Sequence, residues 1–260
     1  MRRALLALQV LATPVMAETW PALVLQSEHP VEGMRGGNLS GLAVCQGEMW
    51  AVSDRDDDQI YRLDTRYPEW LAEAVSLHLP QPPKTGLPWG VRMMGKAISP
   101  LRGGDLDFEG ITCDAAGNRY VVSESHAGVV LIAPQGNASW LKIDAGLVRQ
   151  ARASGMLLHF NALFEGIAIN PQGNQIWLAA ERERRGLLTL HKKQSVWACE
   201  DSCVIMSEAG PQQPPPQLKA KSQAKDFADL AVFEGKLFTL ERMAYRVCRR
   251  TPATGHVERC

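Results

Sequence analysis

Four segments of the chain share one three-part pattern, and internal repetition of this kind decides a fold before any local propensity does. The first segment runs through Ser40-Gly41-Leu42-Ala43-Val44, then Trp50-Ala51-Val52-Ser53-Asp54-Arg55, then Ile60-Tyr61-Arg62-Leu63. The second opens on Asp107-Phe108-Glu109-Gly110-Ile111 and continues with Tyr120-Val121-Val122-Ser123-Glu124-Ser125 and residues 129–132. The third is Leu163-Phe164-Glu165-Gly166-Ile167-Ala168, Trp177-Leu178-Ala179-Ala180-Glu181-Arg182 and residues 187–190. The fourth is Asp226-Phe227-Ala228-Asp229-Leu230, Phe238-Thr239-Leu240-Glu241-Arg242 and Tyr245-Arg246-Val247. Gly41, Gly110, Gly166 and Asp229 hold matching places, 69, 56 and 63 residues apart.

Each unit contains three or four short runs rich in β-branched and aromatic residues. Turn signals such as Gln46-Gly47, Pro171-Gln172-Gly173-Asn174 and Glu234-Gly235 separate them. A helical period is confined to one short stretch, residues 147–156. Repeated four-stranded antiparallel units predict an all-β chain, a β-propeller whose short sheets surround a central channel. Four blades are recognisable; five or six would follow if one blade is degenerate or the chain is a fragment. A strand-like stretch at 22–26 has no obvious blade to join. Residues 81–102, rich in Pro and Gly, and 212–225, with three consecutive prolines, read as surface loops.

The chain carries 28 basic and 28 acidic side chains, a balance that argues against a nucleic-acid partner. Residues 1–17 read as a secretory signal: Arg2 and Arg3, an apolar stretch, then Val15-Met16-Ala17 as a small-residue cleavage site. Residues 18–260 would then form a single propeller domain, periplasmic or secreted. No later run of about 18 apolar residues is present, so no membrane span is expected. Six cysteines in an exported chain point to disulfides. Cys199 and Cys203 flank a tight turn, Cys248 and Cys260 a hairpin, and Cys45 and Cys113 stand at equivalent places in two repeats. The paired two-residue spacings of zinc knuckles are missing.

Superposing the repeats aligns an acid at the end of every second strand: Asp54, Glu124, Glu181 and Glu241. Arginine follows three of them, as Arg55, Arg182 and Arg242. Such a ring could bind a hard cation or orient a polar substrate. The competing reading makes the acid–arginine pairs staples between blades. Glu109 and Glu165, on first strands and each followed by glycine, occur in only two blades and are the candidate metal ligands, with calcium as the cation. The run Asp54-Arg55-Asp56-Asp57-Asp58 fails as an EF-hand because Gln59 replaces the required glycine; it reads as a solvated turn. His126, near a blade rim, is a candidate general base. Nucleophile-elbow, zincin, P-loop and dinucleotide fingerprints are absent from the sequence.

At Asp107-Phe108-Glu109-Gly110-Ile111, Phe164-Glu165-Gly166-Ile167-Ala168, Ser40-Gly41-Leu42 and Val52-Ser53-Asp54-Arg55 the chain resembles the phytase-like propeller family labelled "esterase-like activity of phytase". The resemblance covers roughly residues 37–260. It implies a β-propeller found in exported bacterial proteins and, by analogy with calcium-dependent propeller phytases, calcium-assisted hydrolysis of a small-molecule ester or phosphoester in the channel. Glu109 and Glu165 would hold the metal, and Arg55, Arg182 or Arg242 would stabilise an anion. Two alternatives stand beside it: a gluconolactonase-like metallo-lactonase and a non-catalytic binding or scaffold propeller.

Overall fold

A computed structural model describes residues 23–102 and 104–260. The signal-like stretch and Ala22 therefore lie outside the described residues. Four small sheets stand as the blades of a four-bladed β-propeller, one per repeat. Their innermost strands are Gly41–Cys45, Phe108–Cys113, Phe164–Ile169 and Asp229–Phe233. Each pairs antiparallel with the strand that follows it. Two of the inner hairpins turn on Gln46-Gly47 and Glu234-Gly235, with positive φ at both residues of each pair. That conformation matches the right-handed twist of the flanking strands.

The repeated glycine has a specific packing role. A Cβ on Gly41 would lie 2.7 Å from the Glu109 carbonyl oxygen, and one on Gly110 would lie 2.8 Å from that of Glu165. One on Gly166 would meet the Asp229 backbone at 2.9 Å. Each glycine thus lets the next blade's inner strand approach backbone to backbone. Blade 4 carries Asp229, not glycine, in that place. Leu42 and Val44 of blade 1 and Phe233 and Leu240 of blade 4 are exposed, so those two blade faces do not bury each other.

Between blades 1 and 2 the core gathers Trp50, Val52, Phe108, Ile111 and Val121. Between 2 and 3 it gathers Val122, Phe164, Ile167 and Leu178, and between 3 and 4 Trp177, Leu187, Phe227 and Leu230. The three disulfides are Cys45–Cys113, joining the inner strands of blades 1 and 2, Cys199–Cys203 within blade 3, and Cys248–Cys260 within blade 4. These are the pairs expected from the sequence, and they suit an oxidising compartment. Among the described residues no helix is long and apolar enough to cross a membrane.

Three expectations need correction. Residues 81–102 are not all loop, because Trp89–Arg102 forms a helix, α1. Residues 212–225 include a short two-stranded ribbon, Pro211–Gln212 against Gln223–Ala224. Neither connection holds a fifth blade. The aspartate run is no solvated turn: Asp56 is buried and accepts from Arg35 Nε (2.9 Å), the Gly36 amide (3.1 Å) and the Tyr61 hydroxyl. It thereby anchors the N-terminal segment on blade 1, whose outer edge takes up Val31–Glu32 as a parallel strand. The predicted short helix is present as Gly146–Ala153, α2, with Leu147, Val148 and Ala151 buried. Leu23–Gln26, by contrast, joins no sheet.

Candidate metal-binding site

In blades 2 and 3 the pairing of the first two strands slips at one residue. The register jumps between Phe108 and Gly110, and again between Phe164 and Gly166. The residue bulged out is Glu109 in one blade and Glu165 in the other. A bulge bends its strand and re-aims a side chain. Blades 1 and 4 show no such shift at Gly41 or Asp229. The two glutamates are therefore presented by a local distortion that the other two blades lack.

Both line a cavity of about 330 Å³, together with Asp54, Arg55, Asp107, Glu124, Asn161 and Arg182. Two carboxylate triads form there. Asp54, Asp107 and Glu109 bring one oxygen each within 4.8 Å of one another, and so do Glu124, Glu165 and Glu181. Asp54 is oriented by the Asn38 amide, which donates to both of its oxygens at 2.9 and 3.0 Å. Glu124 Oε1 accepts from the Leu163 amide at 3.0 Å, across the boundary from blade 2 to blade 3. Glu181 Oε1 accepts from Arg182 at 2.6 Å and from Arg242 of blade 4 at 3.3 Å. Its other oxygen, Oε2, is buried and receives no hydrogen bond from an arginine or an amide, and the carboxyl of Glu165 is its neighbour.

So many acids in one place raise each other's proton affinity. Burial pushes Glu109 up to about 10, helped by the charge of Glu165, and Glu165 up to about 8, helped by Glu181. Burial also raises Glu181, to about 7, against the pull of Arg182. Glu124 is raised by burial and then by Asp107. An added hard cation satisfies such a cluster as well as protons do, and a carboxylate oxygen set is the kind calcium takes. The Glu181 Oε2 oxygen fits that cation too.

Of the residues singled out in the sequence, Asp54, Arg55, Glu109, Glu124, Glu165 and Arg182 line this cavity, and Glu181 and Arg242 stand directly against them. Glu241 does not join them. It is fully buried, with Arg250 at 2.6 Å, Arg246 at 2.7 Å and Arg185 of blade 3 at 3.1 Å. Burial opposes its charge, yet Arg185 and the other donors hold its carboxyl down to about 2. In blade 4 the repeated acid is a staple between blades. Asp107 was not singled out from the sequence. Its signal was Asp226 at the matching place in blade 4, but that residue is occupied in accepting from the Met243 amide at 3.1 Å.

Solved structures to which this chain is similar include a streptogramin B lyase, at 13% identity and a TM-score of 0.41, covering 89% of this chain and 56% of the lyase. A virginiamycin B lyase from Staphylococcus aureus matches at 11% identity and a TM-score of 0.40, covering 86% of this chain and 69% of that one. A gluconolactonase from Xanthomonas campestris matches at 10% identity and a TM-score of 0.46, covering 84% and 60%. The chain thus spans 56% of the length of the first of these. No curated protein matches it. Residues 35–243 match the phytase-like family described as "Esterase-like activity of phytase", and the chain belongs to that family.

Proposed function

We propose that the protein binds calcium at Glu124, Glu165 and Glu181, and that the loaded site hydrolyses an ester or phosphoester carrying negative charge. The observation that carries this reading is Glu181 Oε2, a buried carboxylate oxygen that no arginine or amide reaches, beside the carboxyls of Glu124 and Glu165. The cation belongs on this triad rather than on Asp54, Asp107 and Glu109, where no such oxygen occurs among the described residues.

When bound, the cation would supply Lewis-acid polarisation of the substrate oxygen. The chain's own residues do the rest. Arg55 and Arg182 line the same cavity and meet the substrate's anionic group, Arg182 also holding Glu181 in place. Glu109 lines the same cavity and would give a proton to the departing alkoxide oxygen. Three disulfides favour action outside the cytoplasm, in the periplasm or beyond the cell.

Hydrolysis of p-nitrophenyl esters, phosphates and a lactone panel, with and without calcium, tests the activity. Calcium-dependent release from an ester or a phosphate is expected, and Glu109→Gln should lower the rate about 100-fold or more, the usual worth of a positioned general acid. Turnover of lactones alone would move the protein to the lactonase reading. Calcium binding with no turnover of any substrate would leave a binding propeller.

A further inference from the structure

A second cavity, of about 580 Å³, lies beside the acidic one and shares no lining residue with it. Segments 105–107 and 124–126 separate the two: Asp107 and Glu124 face the first, whereas Leu106, Ser125 and His126 face the second. Its far side comes from the loop before α1 and from α1 itself, through Lys84, Leu87, Trp89, Arg92 and Lys96. The volume is that of a small-molecule site, roughly 300–1,000 Å³.

Hydrogen bonding fixes the state of the histidine at its base. Ser125 Oγ lies 2.6 Å from the Asp105 carbonyl oxygen, 3.0 Å from that of Leu106 and 2.8 Å from His126 Nδ1. Carbonyl oxygens only accept, so the single serine proton points to them. Nδ1 must then carry hydrogen and donate to Oγ. This leaves Ser125 without the basic partner a nucleophile needs. It leaves His126 Nε2 as a bare acceptor, with no partner among the described residues.

Three cations, Lys84, Arg92 and Lys96, and two carboxylates, Asp57 and Asp105, line the cavity. Among the described residues, Lys84, Arg92 and Lys96 form no ion pair. The nearby carboxylates are occupied: Asp57 accepts from the amides of Asp105 and Leu106, and Asp105 from Ser99 Oγ. Leu87 is buried in the wall, while the indole of Trp89 is 71% exposed, an unusual place for so large an apolar surface unless something covers it.

We propose that this cavity binds an amphipathic organic anion. Its acid group meets Lys84, Arg92 and Lys96, its apolar body lies on Leu87 and Trp89, and a hydroxyl or amine hydrogen donates to His126 Nε2. This site is independent of the cation reading.

The test uses the full chain and two dyes. Anilinonaphthalene sulfonate has an aromatic body, an amine hydrogen and a sulfonate; phenylnaphthylamine is the same molecule without the sulfonate. The sulfonate is expected to bind once per chain, about tenfold or more tighter than the neutral dye, and to quench Trp89. Combining Lys84→Ala, Arg92→Ala and Lys96→Ala should erase that preference, and His126→Phe should weaken the sulfonate about tenfold, both with unchanged melting temperature. If His126→Phe does not fold, the exposed cation variant decides. No saturable binding, equal binding of the neutral dye, or a cation variant that binds like the wild type would overturn the proposal.

Discussion

At the scale of single residues, the same aligned position does opposite work in neighbouring blades. Glu181 has one oxygen held by two arginines and the other by none, while Glu241 has both oxygens saturated by arginines and Gln212. Removing the charge of Glu241 would take the carboxylate from buried Arg250, while Arg185 would keep Glu208 at 2.6 Å. Glu241→Gln should therefore cost about 3–5 kcal/mol in urea unfolding, the usual loss when one partner of a buried pair is removed. It should leave calcium affinity alone. A stable Glu241→Gln with altered calcium binding would contradict its role as a staple. Gly110 gives a second residue-scale prediction. Its missing Cβ leaves room for the Glu165 carbonyl, so Gly110→Ala should destabilise by about 1–3 kcal/mol. Gly136, where a Cβ meets nothing within 4 Å, offers a control turn glycine whose cost would be conformational only.

Elements were legible where they repeat and obscure where they do not. The period of the β-runs identified all four blades, and the matching places of Cys45 and Cys113 identified a bond between two of them. Reducing that bond, or replacing both cysteines by serine, should cost about 2–5 kcal/mol and loosen blade 1 from blade 2. Hydrogen exchange in Gly41–Cys45 checks it; unchanged protection there would contradict the bond's role. The helix α1 was hidden because it contains Gly90, Gly95 and Pro100, and among its described side chains Val91 alone packs on the main core. Its helical state reflects tertiary context more than propensity. The bulges at Glu109 and Glu165 were also hidden: the glycine beside each acid was visible, but register is set by pairing with a partner strand. The aspartates were hard to separate for a similar reason. Asp54, Asp56 and Asp57 differ in role through Asn38, Arg35 and the amides of Asp105 and Leu106, all distant in sequence.

For the whole molecule, the equal count of acids and bases conceals a strongly uneven layout: six carboxylates gather at one cavity while the cations near them are partly shared out. The pH response follows. In the unfolded chain Glu181, Glu165 and Glu109 ionise near 4.5, whereas in the folded, metal-free protein they hold protons up to about 7, 8 and 10. Folded pKa values above unfolded ones mean a contribution that is full below about 4.5 and lost as pH rises through about 7 to 10. The metal-free melting temperature should thus fall by at least a few degrees over that window, and calcium should restore it. Glu241 acts with the opposite sign: its contribution is present above about 4.5 and is lost as pH falls towards about 2. An increase in metal-free stability from neutral to alkaline pH would contradict the raised set.

Calorimetric titration of chelator-stripped protein with calcium, run at several pH values and in buffers of different ionisation enthalpy, reads the central claim directly. One calcium ion should bind per chain, with release of protons and affinity rising with pH, because Glu165 and Glu181 must give up their protons first. Glu181→Gln and Glu165→Gln should each abolish the heat while retaining the fold. Absence of binding in the wild-type protein, or a Glu181→Gln variant that binds calcium as the wild type does, would contradict it.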